Sequence, residues 1–274
     1  MQPAASGVAD PLVYDVGAHL GEDTDFYLKL GYRVVAVEAN PELAAMFRNR
    51  FSGAIADGRL RIVAKAVAEV AGTVTFYMNS RKSVWGTVNP EWAERNARVG
   101  APSLPIAVAS IPFETILGEH GVPHYLKVDI EGSDLLCIQA LKSFEPRPRY
   151  VSIEAHVGDW RRLLAEFAAL EDLGYDRFQI VRQGRHRSRT FRSLTGEAFD
   201  FFFNEDSSGP FGDDLEGAWL TCNQARRRYR WLWLRERLFS DDSRLGRALA
   251  KFPIFSWVPE SVGWYDTHAM LLLA

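Results

Sequence analysis

The chain has 274 residues, 47% hydrophobic and 24% charged, with a net charge of −3. That is the make-up of an ordinary globular protein, long enough for one α/β domain with an appendage, and it gives no case for nucleic-acid binding. Two cysteines make no disulfide framework, no apolar stretch approaches the ~20 residues of a membrane span, and MQPAASGVAD is no signal peptide, so a cytoplasmic location is expected.

The first predicted elements organise the rest. Leu12 to Val16 is a short apolar run ending at Gly17, which reads as a strand buried on both faces of a parallel sheet. Gly17 and Gly21 bracket a tight turn, Asp23 to Leu30 is helical, and Gly31 stops that helix. Arg33 to Val37 is a second buried strand with Glu38 at its end. A glycine turn followed roughly 20 residues on by an acid is the pattern of a nucleotide site in a doubly wound sheet. The turn argues against NAD. A dinucleotide needs glycine two positions after Gly17 so that the backbone can approach a pyrophosphate, and His19 stands there. A nucleoside without phosphates, such as S-adenosylmethionine, fits better.

Asn40-Pro41-Glu42 opens a helix carrying Leu43, Phe47 and Phe51 on one face. Leu60 to Ala66 and Gly72 to Met78 read as strands. Residues 78–105 break the rhythm with a long polar excursion, and Ser83 and Trp85 within it are expected to border an acceptor pocket. Tyr125 to Ile130 is a strand, and Ser133-Asp134 caps the next helix. Tyr150 to Ala155 is another strand, followed by an amphipathic helix through Trp160, Leu163, Phe167 and Leu170. Tyr175 to Arg182 and Phe199 to Phe203 are the last strand candidates, suited to an antiparallel edge. The alternation implies a mostly parallel sheet over residues 1–203. Residues 204–274 read as a helical and irregular extension packing back on it.

Two strand ends carry ionisable pairs at alternating positions, Asp129 with Glu131 and Glu154 with His156. Alternate residues of a strand share a face, so the four groups would converge if these strands flank the first. His156 is the first candidate for a general base, because imidazole titrates near neutrality, with Glu131 the second and Glu154 its neighbour. The same Asp129, Glu131, Glu154 and His156 would also suit Mg²⁺ or Mn²⁺, although a metal is not expected.

DVGAHLGEDT, VVAVEANPE, YLKVDIEGSD and YVSIEAH, in this order and spacing, resemble the FkbM family of S-adenosylmethionine-dependent methyltransferases. The resemblance covers roughly residues 13–156 and implies a class I, Rossmann-like methyltransferase fold. It implies methylation of a hydroxyl on a sugar or other secondary metabolite. By motif position, Asp15, Gly17 and Gly21 would line the methionine end of the cofactor, with His19 in the same turn. Glu38 would bind the ribose and Asp129 would lie near the sulfonium. Ala66-Val67-Ala68-Glu69 lacks the Ser-Asp pair that often places the adenine. The partner is then a small-molecule or glycan acceptor.

A different class of function centres on residues 223–239, a basic helix with tryptophans that could associate with a membrane surface or a polyanion. The expected reading is plainer. Its aromatics pack on the domain, and its arginines are solvated or paired with Glu236, Asp241 and Asp242.

Overall fold

Five consecutive buried residues, Leu12–Val16, make strand β1, and their apolar run suits a position inside a sheet. The computed structural model containing this strand describes residues 11–183, 188–239 and 264–272. It divides into two compact units: Met1–Pro148 with His186–Ser207, and Arg149–Arg185 with Ser208–Ala274. The expected division into 1–203 and 204–274 therefore differs from the observed one, because residues 149–185 group with the chain beyond 208. That grouping rests on strand pairing that no local pattern announces.

In the first unit, α1 (Glu22–Leu30) starts at Gly21 and stops at Gly31, both in the left-handed region at φ 82° and 98°. Then come β2 (Arg33–Val37), α2 (Pro41–Arg50), α3 (Ser52–Ala56) and β3 (Leu60–Val63). The Asn40 side chain accepts the Glu42 N–H at 3.0 Å, and Pro41 opens α2, as expected. After β4 (Ala66–Val67), β5 (Gly72–Asn79), α4 (Pro90–Arg98), β6 (Ser103–Ile111) and α5 (Phe113–His120) comes β7 (Tyr125–Val128), followed by α6 (Asp134–Ala140). The order β3-β2-β1-β7 is parallel throughout. Strand order reverses beside β1, so the carboxyl ends of β1 and β7 form the crevice where such sheets bind ligands.

A separate small sheet, β4-β6-β5, holds the excursion that breaks the rhythm. Strand β6 is absent from the sequence expectation because Pro102 and Pro105 read as breakers. Pro105 is tolerated because β4 pairs only at Ser110 and Ile111, leaving β5 as the sole neighbour there. Farther along, β10 (Arg189–Arg192) and β11 (Ala198–Phe201) form a hairpin. Its Phe191 and Phe201, with Phe203, surround Phe26 of α1 at 4.7–5.1 Å between ring centroids.

The second unit holds β8 (Tyr150–Glu154), α7 (Trp160–Asp172), β9 (Arg177–Arg182), α8 (Cys222–Phe239) and β12 (Tyr265–Met270). Strand β12 lies antiparallel between β8 and β9. The antiparallel partner of β9 is thus the C-terminal strand, whereas residues 198–201 pair with 189–192. The strand was obscured by its polar residues. Asp266, Thr267 and His268 are all buried; Asp266 accepts from the Gln183 amide at 2.6 Å and Thr267 meets the Tyr229 hydroxyl at 2.8 Å.

Candidate active site

The site begins with a backbone requirement. Gly17 has φ 84°, and a Cβ there would overlap the carbonyl of Asp129 at the end of β7. The N–H groups of Gly17 and Ala18 both donate to the Val37 carbonyl, at 2.9 and 3.0 Å. One glycine thus draws together the ends of β1, β2 and β7. Beneath the turn, Asp15 is fully buried inside an apolar strand. Its Oδ2 accepts from the Thr24 hydroxyl at 2.6 Å, and Oδ1 lies 3.2 Å from Lys127 Nζ. Lys127 also lies 3.5 Å from Asp23 and donates to the Gly17 carbonyl at 3.4 Å. A buried lysine with two carboxylates satisfies charges that would otherwise be costly in the interior, and it ties β1, α1 and β7 to one point.

Over this turn lies a cleft of about 760 Å³, counting its open mouth. The acids Glu22, Asp23, Glu38, Asp129 and Asp206 face it, against the cations Lys65 and Lys127. Val37, Val67 and Phe76 add apolar walls, and Ser83, Val84 and Val88 of the long excursion complete the rim.

Two side chains dominate its electrostatics. Glu38 is only 7% exposed, with Oε2 accepting the His19 N–H at 2.8 Å and Oε1 the Asn40 N–H at 2.7 Å. Burial raises its pKa to about 7, against the downward pull of those hydrogen bonds and of His19. His19 sits at φ 51°, unusual for a residue other than glycine. Its Nδ1 is 3.2 Å from Glu22 Oε1, and its Nε2 is 2.8 Å from the Ser83 hydroxyl. Burial pulls the imidazole pKa down, but the Glu22 hydrogen bond and the charges of Glu22, Glu38 and Asp206 outweigh it, leaving a net rise. With a carboxylate at Nδ1, the neutral ring keeps its proton there and accepts from Ser83 at Nε2.

Of the residues singled out from sequence, Gly17, His19, Glu38, Ser83 and Asp129 face this cleft. Gly21 does not line it. A Cβ there would collide with the Phe47 and Phe51 rings, so its role is to let α1 start beneath α2. Trp85 is absent from the lining too, and Lys82 Nζ lies 4.4 Å over its ring. The expected common face of Asp129 and Glu131 fails because β7 ends at Val128 and Glu131 turns left-handed at φ 49°. The Glu131 carbonyl takes the Thr87 hydroxyl at 2.7 Å, and a Cβ on Gly132 would overlap the Trp92 indole. This segment therefore anchors the excursion that rims the cleft.

Glu154 and His156 belong to the second unit. There His156 Nε2 is 3.4 Å from Glu154 and Nδ1 is 3.3 Å from Glu166, which also accepts Arg162 Nε at 3.0 Å. Among the described residues, no three His, Cys, Asp or Glu side chains are grouped to hold a metal ion. The sequence reading missed Glu22, Asp23, Lys65 and Asp206. A signal existed for Asp23, since a lysine inside the apolar run Leu126-Lys127-Val128 demands buried carboxylates nearby.

The family model for the methyltransferase FkbM domain matches residues 15–177, from the buried Asp15 through the second unit's first helix. The chain belongs to the FkbM methyltransferase family. It is therefore an S-adenosylmethionine-dependent methyltransferase of the class I, Rossmann-like fold, with the parallel β3-β2-β1-β7 order described above. No curated protein matches it. Solved structures to which this FkbM methyltransferase is similar include precorrin-6y C5,15-methyltransferase from Geobacter metallireducens, at 15% identity, covering 70% of this chain and 75% of that one, TM-score 0.37. Another is a SAM-dependent methyltransferase from Thiobacillus denitrificans in complex with S-adenosyl-L-homocysteine, at 13% identity, covering 96% and 86%, TM-score 0.35. A third is the glycopeptide N-methyltransferase MtfA complexed with S-adenosyl-L-methionine, at 13% identity, covering 97% and 90%, TM-score 0.32.

The residues of the cleft fit that cofactor. S-adenosylmethionine carries a sulfonium and an ammonium against one carboxylate, and the cleft's acids outnumber its lysines. A buried carboxyl such as Glu38, at the end of β2, suits vicinal ribose hydroxyls, which need an acceptor.

Proposed function

We propose that this FkbM methyltransferase transfers a methyl group to a hydroxyl of a small-molecule or glycan acceptor in the cleft over Gly17. The observation that carries the reading is a hydroxyl already bonded to the candidate base: Ser83 Oγ lies 2.8 Å from His19 Nε2, with Glu22 on the opposite nitrogen. An acceptor alcohol needs the same partner at the same atom.

The bound cofactor supplies the activated methyl carbon. The chain supplies position and a proton acceptor. Glu38 and Asp129 are proposed to hold the cofactor's hydroxyl and cationic parts, over a turn kept rigid by Gly17 and the Asp15–Lys127–Asp23 cluster. His19 Nε2 would take the acceptor's proton as the hydroxyl oxygen displaces a thioether, one C–O bond replacing one C–S bond, and the Glu22 carboxylate would stabilise the resulting imidazolium. A raised imidazole pKa suits that task at neutral pH. The excursion at 83–88 borders the acceptor.

The test is a panel of sugar alcohols, phenols and amines incubated with protein and S-adenosylmethionine, reading S-adenosylhomocysteine release and the methylated atom. Methyl groups found only on nitrogen or carbon would overturn the hydroxyl assignment.

A further inference from the structure

Helix α8 has two faces of opposite character. Cys222, Ala225, Tyr229 and Leu232 are buried on one side. That side is anchored within its own unit: Arg226 pairs with Glu171 at 2.6 Å, the Tyr229 hydroxyl meets Thr267 at 2.8 Å, and Trp233 packs on Trp160 at 6.0 Å. The side chains of Glu236 and Leu238, like Asp241 and Asp242, lie outside the described residues.

The opposite side breaks the expectation that the aromatics are covered. Trp231 is 60% exposed and Leu234 is 42% exposed. At helical spacing Arg230, Leu234, Arg227, Trp231, Arg235 and Arg228 fall in that order across an arc of about 160°. Arg227, Arg228 and Arg230 are exposed and make no ion pair among the described residues. Between Cys222 and Phe239 there are six arginines and one acid, in a chain whose net charge is −3.

We infer that this face of α8 is a docking surface for an anionic lipid bilayer, with the helix lying in the plane of the interface. Charge alone would also suit a polyanion in water, but even one whose bases could stack on Trp231 offers no apolar layer for Leu234 beside it. A lipid interface takes both. The arginine side chains reach the phosphates while Trp231 and Leu234 enter the headgroup boundary. No helix of the described residues is long and apolar enough to cross a membrane, so the contact is with the surface.

The experiment uses the full chain and vesicles of phosphatidylcholine, with or without phosphatidylglycerol. Sedimentation is expected with the anionic vesicles only and is reversed by raised salt. Arg227→Gln with Arg230→Gln should lower the partition coefficient roughly 25-fold, about fivefold per arginine. Trp231→Ala should lower it roughly tenfold. Circular dichroism and melting of these surface variants should match the parent. Equal partition onto both vesicle types, no partition at all, or indifference to both variants would overturn the inference. So would binding to double-stranded DNA without binding to vesicles, or an oligomer that Trp231→Ala dissociates while vesicles stay unbound.

Discussion

Two histidine–carboxylate clusters in this molecule share their residue types and differ in what surrounds them. His19 has Glu22 on one ring nitrogen and a serine hydroxyl on the other, at the wall of an open cleft. His156 has a carboxylate on each nitrogen, and one of those carboxylates also holds Arg162. The first has a nitrogen that an incoming hydroxyl can compete for. The second has a carboxylate beside each nitrogen, at 3.4 and 3.3 Å. Proton transfer depends less on the residue pair than on which nitrogen has a displaceable partner.

Replacing each histidine in turn gives the largest expected effect and the sharpest way to break the comparison. His19→Ala should lower kcat by roughly 10²–10⁴. His156→Ala should cost stability and leave kcat within a few-fold. If His156→Ala instead removes the rate while cofactor affinity holds, the sequence-based choice of base is right and the role given to His19 is wrong.

Two cations held among buried carboxylates, Lys127 and Arg162, should differ as well. Lys127 is 5% exposed and answers both Asp15 and Asp23, so Lys127→Ala strands buried carboxylates. Denaturant unfolding should show a loss of about 3–5 kcal/mol. The Arg162 side chain is 17% exposed, and Glu166 keeps His156 as a partner when Arg162→Ala is made, so its loss should be clearly smaller. Equal losses would mean that both clusters are equally desolvated.

Glu38 brings a third contrast, in pH. Its pKa is raised from 4.5 to about 7 by burial, so the folded chain holds the proton longer than the unfolded chain does. Its contribution therefore makes the cofactor-free protein less stable as pH rises from about 4.5 to 7, by roughly 3 kcal/mol at most. Cofactor affinity should move the other way, strengthening as the carboxyl ionises near pH 7 and ribose hydroxyls gain an acceptor. Calorimetry across pH reads this, and Glu38→Gln should flatten the profile and weaken binding by ~1.5–3 kcal/mol. A profile unchanged by Glu38→Gln would remove Glu38 from the ribose site.

The strand–turn–helix–strand from Leu12 to Glu38 was legible because every local signal agrees: a continuous apolar run, glycines where φ is positive, and an acid at a strand end. Two strands were not. Pro105 disguises β6, which has one neighbour there, and buried polar residues disguise β12, whose Thr267 and Asp266 meet side chains 38 and 83 residues away in sequence. The cleft was legible where a backbone constraint creates it, at Gly17, and at Glu38. His19 was visible only as an obstacle to a pyrophosphate. Its bond to Ser83 spans 64 residues, and no spacing rule reaches that far.

Ser83 carries the smallest expected effect, and its sign is informative. Its hydroxyl occupies His19 Nε2 at 2.8 Å, so an acceptor alcohol that uses the same nitrogen must displace it. A neutral hydrogen bond of this kind contributes about 1 kcal/mol net. Ser83→Ala removes the competitor, and the acceptor KM should fall by up to about fivefold while the cofactor Kd stays within about twofold. A hydroxyl that held the acceptor directly would do the opposite and raise KM on removal. Trp85→Ala is the control from the same turn: Trp85 does not line the cleft, so neither constant should move by more than about twofold. A rise in acceptor KM from Trp85→Ala would show that the excursion meets the acceptor through its aromatic ring, and the competing role of Ser83 would then have to be given up.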